Sequence, residues 1–186
     1  MKKKSTVFRH SRLAILVMLS VLGNNAFSMS KEESKNRNYW LNVGYGIGGI
    51  GLTSDLSLSL TKENYFLNFT WLNSKNSLDV FRSPMETADD VSLQLGYVFR
   101  NKISKILLSS GVSQVTGVKK GNLISQVFFH SDYEKISYKT IGIPTSLIVL
   151  FPLSPSFSLG IRLYANINRE KPYSCYLLGI QIGKFE

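Results

Sequence analysis

The stretch GIPTSLIVLFPLSPSFSLGIRLYANI, residues 142–167, contains two runs of alternating apolar side chains separated by a few Pro and Ser residues. Alternation with a period of two predicts two β-strands joined by a tight turn. In the second run Leu159, Ile161 and Leu163 share one face, whereas Arg162 lies on the other. The fold therefore depends on whether the apolar face looks inward to a soluble core or outward to lipid.

The same alternation recurs on both sides of this hairpin and predicts eight strands in total. The connections after the second, fourth and sixth strands are tight, whereas the third and fifth connections, residues 73–90 and 117–137, are long. Outer-membrane barrels alternate short and long connections in this way. The predicted strands cover residues 39–48, 55–60, 65–71, 91–99, 105–116, 141–151, 157–167 and 176–182.

Alternation alone also fits a soluble, lipocalin-like barrel with its apolar face inside. In that case the outer surface would be the face rich in glycine, which carries little charge for solubility. With the apolar face outward, the glycines let a narrow lumen close and the polar residues form an internal network. The sequence thus predicts an all-β, eight-stranded, antiparallel up-and-down transmembrane β-barrel. Its expected lumen network is Asn42, Asn68, Gln94, Arg162, Asn166 and Gln181.

The N-terminal segment, residues 1–28, has the pattern of a cleaved signal peptide: a basic start, a short apolar run and small residues at the cleavage site. The apolar run is shorter than the ~20 residues that span a bilayer. The segment carries five of the 22 basic side chains and no acid, so about half of the net charge of +10 belongs to it and nucleic acid is not an expected partner. Residues 29–38 form a polar segment, and residues 39–186 form the predicted barrel.

Two residues inside the predicted strands carry specific expectations. Pro144 lacks a backbone N–H, so a bulge or a lumen-facing water is expected there. Arg162 is the one cation at mid-strand and is expected to point into the lumen, because the lipid face would cost roughly 2–4 kcal/mol near the midplane. The inward-facing candidates to accept its hydrogen bonds are Asn42, Gln94, Gln181, Asp55 and Asp90.

Three motifs in the C-terminal part carry a family resemblance: GIP at residues 142–144, NINREKPYS at 166–174 and GIQIGKF at 179–185. They resemble small, mostly uncharacterised outer-membrane β-barrel proteins of the Bacteroidota, within the OmpA/OmpX-type class of eight-stranded barrels. The resemblance implies a location and a fold, and no activity. One departure is that Phe185 is out of phase with the lipid face, where outer-membrane strands commonly end on an aromatic residue.

Functional signals in the sequence are sparse. His130 lies next to Ser131, Asp132 and Glu134 in the fifth connection, so a lipid A-modifying enzyme that uses these loop residues is an alternative. Adjacent residues on an extended chain point to opposite faces, which favours a solvated histidine and no catalytic site. No metal-ligand spacing or cofactor motif occurs, and a pore is disfavoured because side chains just fill an eight-stranded barrel.

The expected role is therefore structural or surface-binding, and not enzymatic. The expected partners are outer-membrane lipids, including lipopolysaccharide, and the machinery that inserts barrels, with the protein itself a monomer. Lysines in or beside the fifth connection are candidates to contact lipopolysaccharide phosphates. They are Lys119, Lys120, Lys135 and Lys139.

Overall fold

The regular secondary structure that the structure describes is built from β-strands. A computed structural model describes residues 37–76, 82–101, 103–127 and 130–184. No helix in these four segments has the length and apolar character that a membrane crossing requires. The strands are β1 (Arg37–Gly48), β2 (Leu52–Lys62), β3 (Tyr65–Lys75), β4 (Arg82–Ser83), β5 (Thr87–Arg100), β6 (Lys105–Val127), β7 (His130–Ser154), β8 (Phe157–Asn168) and β9 (Tyr173–Lys184).

The eight long strands form one closed antiparallel barrel, and β4 is a two-residue addition to it. Each long strand pairs with its neighbours in chain order, and β1 closes the ring by pairing with β9 from Tyr39↔Lys184 to Gly48↔Cys175. Closure leaves no unpaired strand edge in the body of the barrel. The predicted eight-stranded barrel is confirmed, while the predicted signal peptide and residues 29–36 lie outside the described residues.

The apolar face of the strands looks outward, as predicted. Along β5, Leu93 and Leu95 are exposed, while the alternating Ser92 and Gln94 are buried. The same pattern holds in β8, where Arg162 is only 4% exposed. Because side chains alternate strictly between the two faces of a strand, the neighbours of each outward-pointing apolar residue point into the barrel. The inside of this barrel is consequently lined mainly by polar and small residues.

β6 and β7 form a hairpin that extends well beyond their neighbours in the barrel. The pairing of β5 with β6 ends at Thr87↔Val118, although β6 continues to Val127. β4 adds a short parallel pairing to the outer part of β7. The prediction that the fifth strand ends near Thr116 and is followed by a long loop at residues 117–137 was therefore wrong. The apolar alternation fades where both hairpin faces are exposed, although the backbone remains paired.

The backbone stays in register across Pro144. On one side Pro144 pairs with Asn166 of β8 without a shift. On the other side, between β6 and β7, no pairs are formed by the two residues that follow Ser110, and pairing resumes in the same register at Ser113↔Gly142. The Ser110 hydroxyl donates to the Pro144 carbonyl at 3.0 Å. The expected bulge was therefore wrong: the missing N–H interrupts the ladder locally and adds no extra residue.

Candidate functional site: the closed polar lumen

The interior of the barrel has an apolar cluster at each end and a polar layer between them. All six residues predicted for the lumen network are buried inside the barrel. The cluster at the end of the barrel that carries the long hairpin consists of Ile50, Leu72, Ala88, Val115, Tyr138, Tyr164, Tyr173, Cys175 and Leu177. The cluster at the opposite end consists of Trp40, Phe66, Val98, Leu107, Ile148 and Leu150.

Arg162 of β8 is the centre of the polar layer. Its Nη1 donates to Asp55 Oδ2 at 2.9 Å, which makes a buried ion pair across the lumen. Its Nη2 donates to the hydroxyls of Thr70 and Ser146, each at 3.0 Å. The guanidinium carbon also lies 5.2 Å from the ring centroid of Tyr164. A third hydroxyl, that of Ser57, lies 3.5 Å from Nη1, so the one buried cation of the described lumen has a carboxylate, three hydroxyls and an aromatic face as partners.

A chain of hydrogen bonds continues from Asp55 around the wall. Asn42 Nδ2 donates to Asp55 Oδ2 at 2.7 Å, and Gln181 Nε2 donates to Asn42 Oδ1 at 2.7 Å. Ser158 in turn donates its hydroxyl to Gln181 Oε1 at 2.9 Å. Four strands, β2, β1, β9 and β8, are therefore linked through side chains inside the lumen. Of the five candidate acceptors for Arg162, the structure selects Asp55.

Two further amides join the same network. Gln94 Oε1 accepts hydrogen bonds from the hydroxyls of Ser109 and Ser146, each at 2.9 Å. In the amide orientation that matches donors with acceptors, Asn68 Oδ1 lies 3.2 Å from Arg162 Nη2. Ser146 connects Gln94 to Arg162, since its hydroxyl oxygen also accepts from the guanidinium. The predicted lumen residues on β3 and β5 are therefore tied to β8 as well.

Asp90 organises a second cluster, nearer the hairpin end. Its Oδ2 accepts hydrogen bonds from the hydroxyl groups of Tyr164 and Tyr173, the latter at 2.6 Å. Asn166 Nδ2 donates to the same oxygen at 2.7 Å and lies at 2.7 Å from the Ser113 hydroxyl oxygen. One carboxylate oxygen thus gathers donors from β8 and β9 onto β5.

The sequence pattern did not identify Tyr173 as a lumen residue. The eighth strand was predicted to begin at about Tyr176, which left Tyr173 in the preceding turn. In the structure β9 begins at Tyr173, and Tyr173, Cys175 and Leu177 are all buried on the inward face. The spacing of these three residues at every second position is typical of one face of a strand. Pro172, directly before them, favours a turn and therefore made the start of the strand hard to predict.

The lumen has very little free space. A cavity beside Arg162, Asp55 and Asn42 measures about 10 Å³, which is at the lower limit for a single water molecule. Among the described residues, three buried side-chain atoms have no hydrogen-bond partner within the chain: Asp55 Oδ1, Asp90 Oδ1 and the Tyr138 hydroxyl. The polar layer around Arg162 is therefore closely packed, with space for at most about one water molecule in this cavity.

Ion pairs lie across the hairpin end of the lumen. Lys171 lies in the turn between β8 and β9, and its Nζ is 2.5 Å from Glu86 Oε1. Lys119 Nζ on β6 is 2.8 Å from Glu170 Oε2. Partial burial by itself would raise the pKa of Glu86, but the hydrogen bonds from Lys171 and from the Lys120 backbone N–H outweigh it and lower that pKa. These contacts fasten the β8–β9 turn to the base of the long hairpin.

The four lysines predicted to meet lipopolysaccharide lie on the strands of the hairpin, on two different faces. Lys120 and Lys135 are cross-strand partners and so share a face with each other. Lys139, four residues beyond Lys135, lies on that same outward face. Lys120 Nζ lies 5.6 Å from the ring centroid of Tyr133. Lys119 points to the opposite face, where it pairs with Glu170.

The structure describes the backbone of His130 only. Its backbone begins β7, where it pairs with Val127, and its side chain lies outside the described residues. Ser131 and Asp132 follow it on the strand and pair with β4. Within the described segments, no group of three or more His, Cys, Asp and Glu side chains is arranged to hold a metal ion.

A closed eight-stranded barrel with an apolar outside and a packed polar inside is the fold of small bacterial outer-membrane barrels. Similar solved structures include the N-terminal β-barrel domain of Pseudomonas aeruginosa OprF, at 12% identity and a TM-score of 0.59, covering 78% of this chain and 96% of that one. Neisserial surface protein A has 12% identity and a TM-score of 0.58, covering 80% and 97%. A major outer membrane protein from Thermus thermophilus has 11% identity and a TM-score of 0.56, covering 79% and 98%.

No family model matches this chain, and no curated protein matches it. At identities of 11–12%, the similarity to the solved structures establishes the fold alone.

Proposed function

We propose that this chain is a small β-barrel of the bacterial outer membrane with a structural or surface-binding role, and that polar side chains plug its lumen. The observation that carries the proposal is the combination of an apolar outer wall with an interior filled by buried side chains. Monomeric soluble proteins rarely expose contiguous apolar patches larger than a few hundred Å². A wall of this kind is stable only where lipid covers it.

The height of the apolar wall suits a membrane. On β1 the outward apolar side chains run from Tyr39 to Ile47, about 27 Å along the strand at ~3.4 Å per residue. With a strand tilt of ~40°, this corresponds to roughly 21 Å of vertical height, close to the ~25 Å apolar band of outer-membrane barrels. The resemblance of the C-terminal motifs to small Bacteroidota barrels agrees with this location and fold.

The proposed partners are lipids and the insertion machinery. Lys120, Lys135 and Lys139 share the outward face of the hairpin above the apolar wall, where lipopolysaccharide phosphates would lie. Exchanging these three lysines for glutamine should weaken retention on immobilised lipopolysaccharide. Lys119→Gln is the matched control, because Lys119 is on the other face. Equal loss in the triple variant and the control would contradict the assignment of this face.

Cell fractionation tests the proposed location, and gel migration tests the barrel. The full-length protein should lose residues 1–28 on export, appear in the outer-membrane fraction and migrate faster on an unboiled gel than after boiling. In planar bilayers the purified protein should give no steady conductance, because the lumen is filled. Recovery in the soluble periplasmic fraction would refute the location, and a stable open current would refute the plugged lumen.

A further inference from the structure

A groove of about 530 Å³ crosses the outer wall of the barrel over strands β8, β9, β1, β2 and β3. Its lower edge is a row of outward apolar side chains that are joined across the strands. Leu159 pairs with Ile180, Ile180 pairs with Val43, and Leu56 pairs with Trp71 on the next two strands. The groove therefore follows the direction of the backbone hydrogen bonds between strands.

The groove changes character along its length. Its upper edge begins with the apolar pair Tyr45↔Leu178 and continues with the polar pair Ser54↔Asn73. The Asn73 amide donates to the Asp89 carboxylate beside it. One end of the groove is thus fully apolar, and the other ends among polar side chains near the hairpin end of the barrel.

A cation lies just above the polar end. Lys75 is two residues beyond Asn73 on β3, shares its outward face and is exposed. Below it, Trp71 marks the start of the apolar wall. The order cation, amide, aromatic ring and aliphatic wall matches the order in which an anionic headgroup, its linkage and an acyl chain occur in a membrane leaflet.

The dimensions fit one acyl chain. Five adjacent strands are separated by four spacings of ~4.8 Å, which gives a groove of about 19 Å. With strands tilted ~40°, the direction across them climbs about 12 Å along the membrane normal, most of the ~15 Å depth of one leaflet. The groove rises from Leu159, near the start of β8, to Asn73, near the end of β3.

We infer that this groove binds one acyl chain of a phosphate-bearing membrane lipid, with the phosphate next to Lys75. The inference rests on the proposed membrane location. We assign a lipid as the occupant and not a second copy of the chain. The cation Lys75 would lie beside the phosphate, and the groove then becomes less polar in the direction in which the acyl chain of the lipid would run.

Tryptophan fluorescence offers a direct test. Trp71 lines the groove, whereas Trp40 is 4% exposed and lies inside the barrel. In a Trp40→Phe background, the full barrel in detergent micelles is titrated with phosphatidylglycerol that carries brominated chains, which quench a tryptophan on contact. Binding should saturate, with half-maximal quenching at a lipid fraction about tenfold lower than for a variant with a filled groove, equivalent to ~1.4 kcal/mol.

Ser54→Phe fills the groove, and Val112→Phe is the matched control because Val112 is exposed on the outer wall of β6. The inference requires Ser54→Phe alone to raise the half-maximal lipid fraction. Lys75→Gln should weaken quenching by brominated phosphatidylglycerol while leaving brominated diacylglycerol unchanged. Quenching that grows linearly with lipid and is equal in Ser54→Phe and Val112→Phe would overturn the inference, as would a stable dimer that Ser54→Phe dissociates.

The two proposals fail in distinguishable ways. A heat-modifiable barrel whose Trp71 is quenched in bilayers made entirely of brominated lipid still belongs in a membrane, even if the micelle titration is linear. A protein that is unquenched in both settings contradicts the membrane location itself.

Discussion

Replacing Arg162 with Met tests whether the lumen network holds the barrel together. The variant keeps most of the side-chain volume and removes the guanidinium. The ion pair with Asp55 at 2.9 Å is lost, as are the hydrogen bonds to Thr70 and Ser146. Asp55 is 4% exposed and keeps the hydrogen bond from Asn42, with no cation left beside it among the described lumen residues.

The cost follows from what remains in the lumen. Removing one partner of a buried ion pair leaves an uncompensated charge and typically costs about 3–5 kcal/mol. Removing both charges costs much less, since the desolvation penalty of the second charge disappears with it. Arg162→Met should therefore lower the free energy of unfolding by about 3–5 kcal/mol, and Asp55→Asn in the Arg162→Met background should recover a substantial part of that loss.

The assay is urea unfolding of the purified barrel in lipid vesicles, followed by the gel shift of unboiled samples. Arg162→Met should move the midpoint to lower urea, and the double variant should move it back. Neither should conduct in a planar bilayer, because the apolar clusters still close both ends of the lumen. An unchanged midpoint for Arg162→Met would refute the reasoning, since it would mean that the buried ion pair contributes nothing to holding strands β2 and β8 together.

Three further outcomes are expected. Tyr173→Phe should cost about 1–3 kcal/mol of unfolding free energy because a buried hydrogen bond to Asp90 is lost, whereas Tyr176→Phe on the outer wall should cost almost nothing. The folded-state pKa of Glu86 lies below its ordinary value of 4.5, so its ion pair with Lys171 should stabilise the barrel fully above pH 4.5 and lose its effect as the pH falls through the folded-state pKa. This acid step in a profile of stability against pH should be worth at most about 1 kcal/mol, and Glu86→Gln should remove it. Cys175 should resist a maleimide in the folded barrel and react after boiling, and fast labelling of the unboiled protein would contradict its buried position.

The barrel was predictable from the sequence because its physical basis is local. Strict alternation along each strand assigns every side chain to one of two faces, and the poverty of charge on the glycine-rich face decides which face is outside. Arg162 could be placed in the lumen for that reason alone. Its partner could not be chosen, because Asp55 and Asp90 are both inward-facing and only the tilt and stagger of the closed barrel determine which carboxylate lies opposite β8.

The long hairpin and the end of the lumen were predicted less well. Residues 117–137 alternate poorly because neither face of the hairpin needs to be apolar, so the sequence carries no period for a strand there. Tyr173 was missed for the opposite reason, since it is in phase with its strand but follows a proline and a charged turn. The groove on the outer wall was not predicted. Its shape depends on how far individual side chains protrude on five neighbouring strands, whereas the alternation in the sequence says only which face each side chain is on.

The ion pair between Asp55 and Arg162 joins residues 107 positions apart, and the contact between Asn42 and Gln181 joins residues 139 apart. While the chain is being assembled from its N-terminus, Asp55 and Asn42 of the early strands can bond to each other, but their further partners, Arg162 and Gln181, have not yet been made. These groups can leave water at acceptable cost only when the last two strands are in place. Contacts between residues so far apart in sequence close last and slow folding, so we expect the lumen network, and on the proposed membrane location the insertion of the barrel, to be completed only after β8 and β9 are present.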